Sequence, residues 1–219
     1  MAEEFSVPHV ASVSAGPRRG RQTILLDDGR SFVFSDEACL RAGVRIGAEA
    51  DEAYLQQLEV AEQRTEAHES ALRLLSYRAR SEQELRARLA RRGVGGGVID
   101  EEMERLRAAK LIDDDAFAGM WVQERALLAP RGRRLLQNEL RAKGIAPGSI
   151  EDATAQLDDH AAALVLAQAR AHKLRDATYD DFRKKVGGLL QRKGFDYGVI
   201  AAVLREVWGS RGDSNGEAV

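Results

Sequence analysis

Three clusters of basic residues are the part of this sequence with the clearest capacity for chemistry. They lie at 78–92, 125–143 and 183–193 and together hold 17 Arg and Lys against three Glu, a local charge of +14. Guanidinium and ammonium groups bind phosphates and carboxylates, so this charge indicates a nucleic-acid or acidic protein partner. The side chains predicted to make the contacts are Arg78, Arg80, Arg86, Arg88, Arg131, Arg133, Arg134, Arg141, Lys143, Arg183, Lys184 and Lys185.

The overall charge of the chain hides these clusters. The 219 residues contain 33 Lys and Arg and 35 Asp and Glu, a formal charge of −2, so the rest of the chain carries −16. A structural alternative is that basic residues near helix ends only complement the helix dipole and solvate a surface. It accounts well for Arg92 and Lys193, and poorly for Arg131 and Arg183, which we place toward helix starts.

The residue types that usually bind metals or carry catalysis lack suitable spacing. No two histidines stand at i and i+4, and one cysteine is available, so no metal site, cofactor or enzymatic activity is expected. The glycine run 93–97 lacks the Lys-Ser/Thr pair of a phosphate-binding loop. Asp113–Asp115 is interpreted as a helix cap rather than a cation site. The histidines and the cysteine are His9, His68, His160, His172 and Cys39.

Composition places the chain among soluble folded proteins. It is 44% hydrophobic, 31% charged and 5% aromatic, which predicts an aliphatic core. The longest apolar run, 161–167, is far shorter than a bilayer span. The acidic start, residues 1–4, precedes no apolar stretch, so no secretory leader is expected. A single cysteine suits a reducing compartment, and we expect a cytoplasmic monomer that contacts no membrane.

A unit of about fifty residues occurs three times, and it must position the basic clusters. The segments 89–99, 140–150 and 190–200 align without a gap, and their shared glycines are 51 and then 50 residues apart. The flanking leucine pairs at i and i+4 predict an apolar helix stripe. Since three short helices bury little alone, neighbouring units should stack into an elongated array.

Each unit is predicted to contain three helices in a helix-turn-helix-like arrangement. Ser81–Glu84 is a capping box that starts the second helix of the first unit. Gly93, Gly144 and Gly194 should end the second helices in the left-handed conformation. The predicted bounds are 69–112, 113–157 and 158–208 for the three repeats, followed by a disordered tail at 209–219.

The amino-terminal region predicts a small β element. Residues 23–34 form two β-favouring runs around Asp28-Gly29, a strong hairpin signal, and a further strand is expected at Val10–Val13. Ser35 should cap a short helix. The predicted element covers 1–50 and is followed by a linker helix at 51–68. The fold class is therefore mainly α: three tandem three-helix repeats with a small N-terminal β-hairpin element.

Three stretches of the chain resemble a known family. Ala71–Leu85, Leu111–Ala118 and Pro130–Ile145 resemble the hallmark stretches of the RecX family, bacterial regulators of the RecA recombinase. The similarity covers about residues 10–208 and is strongest in the first two repeats. In the third, Val186-Gly187-Gly188 places glycines in a helix, where they are unfavourable.

The resemblance implies a non-enzymatic inhibitor of RecA. Such a protein would bind the RecA filament on single-stranded DNA, lie in its groove, and block extension or promote disassembly. It would thereby suppress ATP hydrolysis and strand exchange. Two alternatives remain open: an autonomous DNA-binding helical array without RecA dependence, and a scaffold for a different protein partner.

Overall fold

The computed structural model describes residues 7–214. The acidic start on which the expectation of no secretory leader rests lies outside the described residues, as does the end of the predicted tail, 215–219. Within the described range, no helix is both long enough and apolar enough to cross a membrane.

The chain divides into two compact units. Unit 1 contains the described residues up to Arg80 together with Leu85–Leu111. Unit 2 contains Ser81–Glu84 and the chain from Ile112 onward. The first turn of one helix therefore groups with the repeats that follow it.

Unit 1 begins with a three-stranded antiparallel sheet in the order β1-β2-β3. The strands are β1 (Val10–Ala15), β2 (Arg21–Leu26) and β3 (Ser31–Ser35). The predicted hairpin is confirmed: Gly29 has φ +87° in the β2–β3 turn, a conformation that glycine adopts without strain. The predicted further strand is also present and extends to Ala15.

The sheet packs against two helices, α1 (Asp36–Arg41) and α2 (Glu52–Tyr77). The Ser35 hydroxyl accepts a hydrogen bond from the Ala38 amide at 3.1 Å, which confirms the predicted cap of α1. The buried side chains of this core are Val10, Ile24, Leu26, Phe34, Ala38, Cys39, Ala50, Leu55, Leu58 and Ala61.

Helix α2 corrects one prediction. The linker helix at 51–68 and the first helix of the first repeat are a single helix of 26 residues, with no break at residue 68. The segment contains neither glycine nor proline, so nothing in the backbone interrupts the hydrogen-bond ladder. Repeat 1 therefore consists of the end of α2 with α3 (Glu82–Ala90) and α4 (Gly96–Ala108).

Repeats 2 and 3 follow in unit 2. Repeat 2 contains α5 (Asp114–Leu128), α6 (Arg133–Ala142) and α7 (Pro147–Thr154). Repeat 3 contains α8 (Asp159–Ala171), α9 (Tyr179–Arg192) and α10 (Tyr197–Ser214). Because α10 continues to Ser214, residues 209–214 are helical, in contrast to the disordered tail expected there.

The second helix of every repeat is built in the same way. Its apolar pair at i and i+4 is completely buried, and the glycine that follows has φ between +79° and +85°, as predicted. The buried pairs are Leu85 and Leu89, Leu136 and Leu140, and Val186 and Leu190. Three aromatic side chains pack in these cores: Phe117 is buried, and Trp121 and Trp208 are half-buried.

Candidate partner-binding surface

Two of the predicted cations, Arg131 and Lys143, are mostly buried and paired with glutamates. Arg131 forms an ion pair with Glu139, whose other carboxylate oxygen accepts a hydrogen bond from Trp121 Nε1 at 2.9 Å. Lys143 Nζ lies 2.9 Å from a Glu84 oxygen and 4.2 Å from the centroid of the Trp121 ring. Cations that are mostly buried and satisfied in this way stabilise the fold, and they offer little charge to a partner.

Five more of the predicted arginines bond to nearby groups. Guanidinium groups at helix ends often donate hydrogen bonds to free backbone carbonyls. Arg80 and Arg133 do so to carbonyls that lie 6 and 24 residues away in the chain. The pairs are Arg133 with the Leu157 carbonyl, Arg86 with the Asp100 carboxylate, Arg80 with the Leu74 carbonyl, Arg78 with the Ala79 carbonyl, and Arg141 with the Asn138 amide oxygen.

The remaining five predicted cations are exposed and unbonded. Within residues 7–214, no hydrogen bond or ion pair ties any of them to another side chain or carbonyl. Their charge and their hydrogen-bond donors are available to a partner molecule. They are Arg88, Arg134, Arg183, Lys184 and Lys185.

Three of these free cations belong to the first half of α9. Arg183, Lys184 and Lys185 occupy successive positions, so they spread around the helix rather than along one face. The Thr178 hydroxyl, which accepts a hydrogen bond from the Asp181 amide at 3.3 Å, fixes the start of that helix. A fixed helix carrying free cations is a suitable surface for an anionic partner.

The second and third helices of repeats 2 and 3 enclose equivalent grooves. The repeat 2 groove has a volume of about 460 Å³ and the repeat 3 groove about 570 Å³. With the 50-residue offset, Gln137 corresponds to Gly187, Glu151 to Ala201, and Thr154 to Leu204. The lining positions match, and the side chains at them differ.

In repeat 2 these side chains bridge the groove. Gln137 Nε2 donates to Thr154 Oγ1 at 3.2 Å. In repeat 3, a Cβ added at Gly187 would lie 3.5 Å from Leu204 Cδ1 and 3.8 Å from Ile200 Cγ2, an ordinary van der Waals contact. The glycine therefore leaves space beside Leu204 and Ile200, which are themselves 6% and 7% exposed. The side chains around it include Arg134, Tyr179, Arg183, Lys184, Tyr197 and Arg205.

The corresponding position in repeat 1 is occupied by an ion pair. Arg86, equivalent to Gln137, lies 2.5 Å from Asp100, equivalent to Glu151. From repeat 1 to repeat 3, these two positions hold Arg86 with Asp100, Gln137 with Glu151, and Gly187 with Ala201.

Within unit 2, the repeat that follows supplies an aspartate acceptor at the starts of the second helices α3 and α6. The Glu82 amide donates to Asp114 at 2.9 Å, and the Arg133 amide donates to Asp159 at 3.0 Å. Burial raises the pKa of both aspartates above the ordinary value. The Asp113 carboxylate accepts hydrogen bonds from the Asp115 and Ala116 amides and caps its own helix, as predicted. Its neighbour Asp114 accepts from the Glu82 amide of the preceding repeat instead.

A second contact completes each junction. Ser81 Oγ donates to the Lys143 carbonyl at 2.7 Å, and the Gly132 amide donates to the Lys193 carbonyl at 2.8 Å. A Cβ at Gly132 would lie 2.4 Å from the Gly194 carbonyl oxygen, so the backbones approach too closely for any side chain. Among the described residues, no group of three or more His, Cys, Asp or Glu is arranged to hold a metal ion.

Comparison with known proteins agrees with this repeated architecture. Residues 67–106, 113–153 and 158–204 match the family models of the first, second and third three-helix domains of RecX. The regulatory protein RecX of Geobacillus thermodenitrificans is 32% identical over 191 residues, which cover 86% of this chain and 71% of the relative. The chain belongs to the RecX family.

Other RecX proteins are similar over comparable lengths. The regulatory protein RecX of Mycobacterium sp. strain JLS is 36% identical over 146 residues, covering 64% of this chain and 80% of the relative. That of Geobacillus kaustophilus is 35% identical over 178 residues, covering 80% of this chain and 66% of the relative.

Solved RecX structures have the same fold. A crystal structure of regulatory protein RecX superposes with a TM-score of 0.70 at 26% identity, covering 90% of this chain and 98% of that one. RecX from Lactobacillus salivarius gives a TM-score of 0.62 at 25% identity, covering 67% of this chain and 97% of that one.

The sequence prediction for this RecX chain missed the floor of the repeat 3 groove. Positive charge was the criterion, so Phe195, Ile200 and Leu204 were not singled out, although they line the groove with the cations. The available signal was the glycine pair 187–188, noted as a departure from the RecX pattern. Aligned on repeat 2, it marks the position where a groove-filling side chain is missing.

Proposed function

We propose that this chain inhibits RecA by binding the RecA filament on single-stranded DNA. It lies in the filament groove, blocks extension or promotes disassembly, and thereby suppresses ATP hydrolysis and strand exchange. It acts by binding alone, as a cytoplasmic monomer, and contacts no membrane. Membership in a family of regulatory proteins and the five exposed, unbonded cations support the proposal.

The free cations supply the contact in this proposal. Arg134, Arg183, Lys184 and Lys185 belong to unit 2, and Arg88 belongs to unit 1. They meet acidic surface on the recombinase and phosphates of the DNA it coats. Several weak contacts on one chain reinforce one another, because each bound contact raises the effective concentration of the next.

The other predicted cations have a supporting role. Arg131 and Lys143 bind Glu139 and Glu84, so replacing them changes the stability of the fold before it changes partner binding. We assign partner contact to the unbonded set and internal support to the bonded set.

A charge reversal on α9 tests the assignment. The triple variant Arg183→Glu, Lys184→Glu, Lys185→Glu is compared with Arg170→Glu, Lys173→Glu, which reverses exposed charge elsewhere in repeat 3. The measurement is inhibition of RecA ATP hydrolysis on single-stranded DNA, with circular dichroism as the folding control. We expect the triple variant to require at least about tenfold more protein, equivalent to about 1.4 kcal/mol of lost binding. Equal inhibition by the triple variant and the control would contradict the assignment.

Autonomous DNA binding is the second candidate, and the exposed cations of α9 favour it. It predicts tight binding to naked single-stranded DNA in the absence of RecA. The logarithm of affinity would then fall with the logarithm of salt concentration by about 0.7 per phosphate contact. Weak binding to naked DNA beside strong inhibition of RecA supports the regulator.

A further inference from the structure

We propose that the groove of repeat 3 is a docking site for an acidic peptide segment of a partner protein, which inserts one aliphatic or aromatic side chain between α9 and α10. The chemistry of the peptide is inferred from the groove. The assignment of that peptide to the recombinase rests on the proposed function.

The floor of the groove is apolar, and the most exposed apolar side chains of the groove are those of Tyr179 and Tyr197, which are 40% and 85% exposed. Phe195, Ile200 and Leu204 supply its side chains, and Gly187 and Gly188 form the α9 wall. Leu204 and Ile200 are 6% and 7% exposed, and because Gly187 has no side chain, the space beside them on the α9 wall stays open. An inserted aliphatic or aromatic side chain covers this surface and removes it from water.

Cations stand on both sides of the floor. Arg183 and Lys184 project from α9, Arg205 from α10, and Arg134 from the start of α6. Among the described residues that line the groove, none carries a carboxylate. Arg205 donates its Nε proton to the Ala201 carbonyl at 3.2 Å, which leaves its terminal nitrogens available. Carboxylates on either side of a buried anchor are therefore matched by charge.

The absence of a bridge across the groove is specific to repeat 3. Repeat 1 has the ion pair between Arg86 and Asp100, and repeat 2 has the hydrogen bond between Gln137 and Thr154. Repeat 3 combines Gly187, Ala201 and Leu204, so neither bridge can form. One repeat of the three thus presents an open apolar site within a basic rim.

A peptide suits the floor better than a nucleobase does. The edge of a base carries hydrogen-bonding atoms, and Ile200 and Leu204 offer none to replace the lost water. A Leu or Phe side chain has no such atoms to satisfy. Apolar anchors in a groove between helices, flanked by complementary charge, are a common mode of peptide recognition. The ring of Tyr197, 85% exposed at the rim, is the feature a stacked base would use, so the test includes DNA.

The experiment measures fluorescence anisotropy with two labelled peptides. One is a short run of alternating Asp and Glu with a single central Phe, and the other has Ser in place of Phe. We expect the full-length protein to bind the Phe peptide about tenfold more tightly, from burial of the ring. Equal binding of the two peptides would overturn the inference, because the contact would then be charge alone.

Two variants locate the anchor. Gly187→Gln introduces the residue that repeat 2 has at this position, and its Cβ would make only ordinary van der Waals contacts. It should abolish the preference for Phe and leave binding of the Ser peptide unchanged. Gly119→Gln makes the same chemical change in α5, where a Cβ meets nothing within 4 Å, and should change neither. An unaltered Phe preference in Gly187→Gln contradicts the proposal.

A third arm separates this inference from the proposed function. If Gly187→Gln weakens binding of an oligo-dT strand and that strand binds more tightly than either peptide, the groove is a nucleic-acid site and the inference is wrong. If Gly187→Gln loses the Phe preference yet inhibits RecA fully, the peptide site stands and its assignment to the recombinase is overturned. If both peptides fail while the α9 charge reversal still weakens inhibition, the groove inference alone fails.

Discussion

Repeats 2 and 3 share three helices, a buried apolar pair and a glycine cap, and their second helices are both rich in basic residues. In repeat 2 the cation Arg131 lies against Glu139, and the groove is bridged by Gln137. In repeat 3 the position of Glu139 is occupied by Leu189, and that of Gln137 by Gly187. The cations of α9 accordingly have no intramolecular partner among the described residues.

This difference shows that the number of cations on a helix does not define a binding surface. Glu139 on α6 forms an ion pair with Arg131 and accepts a hydrogen bond from Trp121 Nε1, so Arg131 stabilises the fold. Without such an acid, the same kind of helix keeps its charge available. The carboxylate acts on the cation it reaches: Glu139 pairs with Arg131, while Arg134 on the same helix stays exposed and unbonded.

The largest effect is expected where repeats 2 and 3 meet. Gly132→Ala places a Cβ within 2.4 Å of the Gly194 carbonyl, a backbone atom that cannot rotate away. We expect a loss of about 2–4 kcal/mol in the free energy of unfolding, from overpacking and backbone displacement. Urea denaturation provides the measurement, and Gly119→Ala, which meets open space, is the matched control. A loss no larger than that of the control would refute the close approach.

The next effect makes repeat 2 resemble repeat 3. Glu139→Leu introduces the repeat 3 residue and leaves Arg131 and Trp121 Nε1 without their acceptor. Because Arg131 is mostly buried, we expect destabilisation of about 1–3 kcal/mol. Glu124→Leu, which removes an exposed carboxylate from α5, should change stability by less than about 0.5 kcal/mol. Similar values for the two variants would show that Glu139 is dispensable.

A smaller effect makes repeat 3 resemble repeat 2. Gly187→Ala should stabilise the protein by about 0.5–1 kcal/mol, since glycine is a poor residue inside a helix and the new methyl group has room. It should simultaneously narrow the groove and reduce the preference for a Phe-containing peptide. Thermal unfolding and peptide binding, measured on the same variant, test whether stability and recognition oppose each other at this residue.

The smallest effect concerns pH. Burial raises the pKa of Asp159 above its ordinary value of 3.8, so the folded state binds a proton more readily than the unfolded state. Lowering the pH through the folded pKa toward 3.8 should therefore favour folding at this residue. In Asp159→Asn this contribution is absent. The difference in unfolding free energy between wild type and variant should shift in favour of wild type as pH falls, and the opposite slope would contradict the assignment.

Local signals in the sequence predicted much of this fold. Asp28-Gly29 identified the hairpin, and Gly144 and Gly194 identified helix ends, because a left-handed glycine is a property of a few adjacent residues. The long α2 was divided in the prediction because the repeat boundary was taken from alignment, although no helix-breaking residue lies there.

The candidate site was less accessible from sequence. Lys143 was expected to face a partner, but it binds Glu84, which lies 59 residues earlier in the chain. Such a pairing depends on how the repeats stack, and no local pattern specifies it. The groove of repeat 3 is open because Gly187 and Ala201 replace the larger Gln137 and Glu151 of repeat 2. A prediction based on positive charge does not detect such a replacement.

The two junctions within unit 2 have the same direction along the chain: an aspartate of the following repeat accepts from the first amide of the second helix. The helix that begins at Glu82 is completed by Asp114, and the one that begins at Arg133 by Asp159, each supplied by the next repeat along the chain. As the protein leaves the ribosome amino terminus first, the Ser81 hydroxyl is already present to accept from the Glu84 amide, whereas the Arg133 amide gains its acceptor only when Asp159, 26 residues later, has been added. In repeat 3, α9 is capped from within its own repeat by Thr178. Ser81 and Thr178 therefore cap their helices locally, and α6, whose N-cap Gly132 has no side chain, is the second helix that depends on the next repeat for its cap.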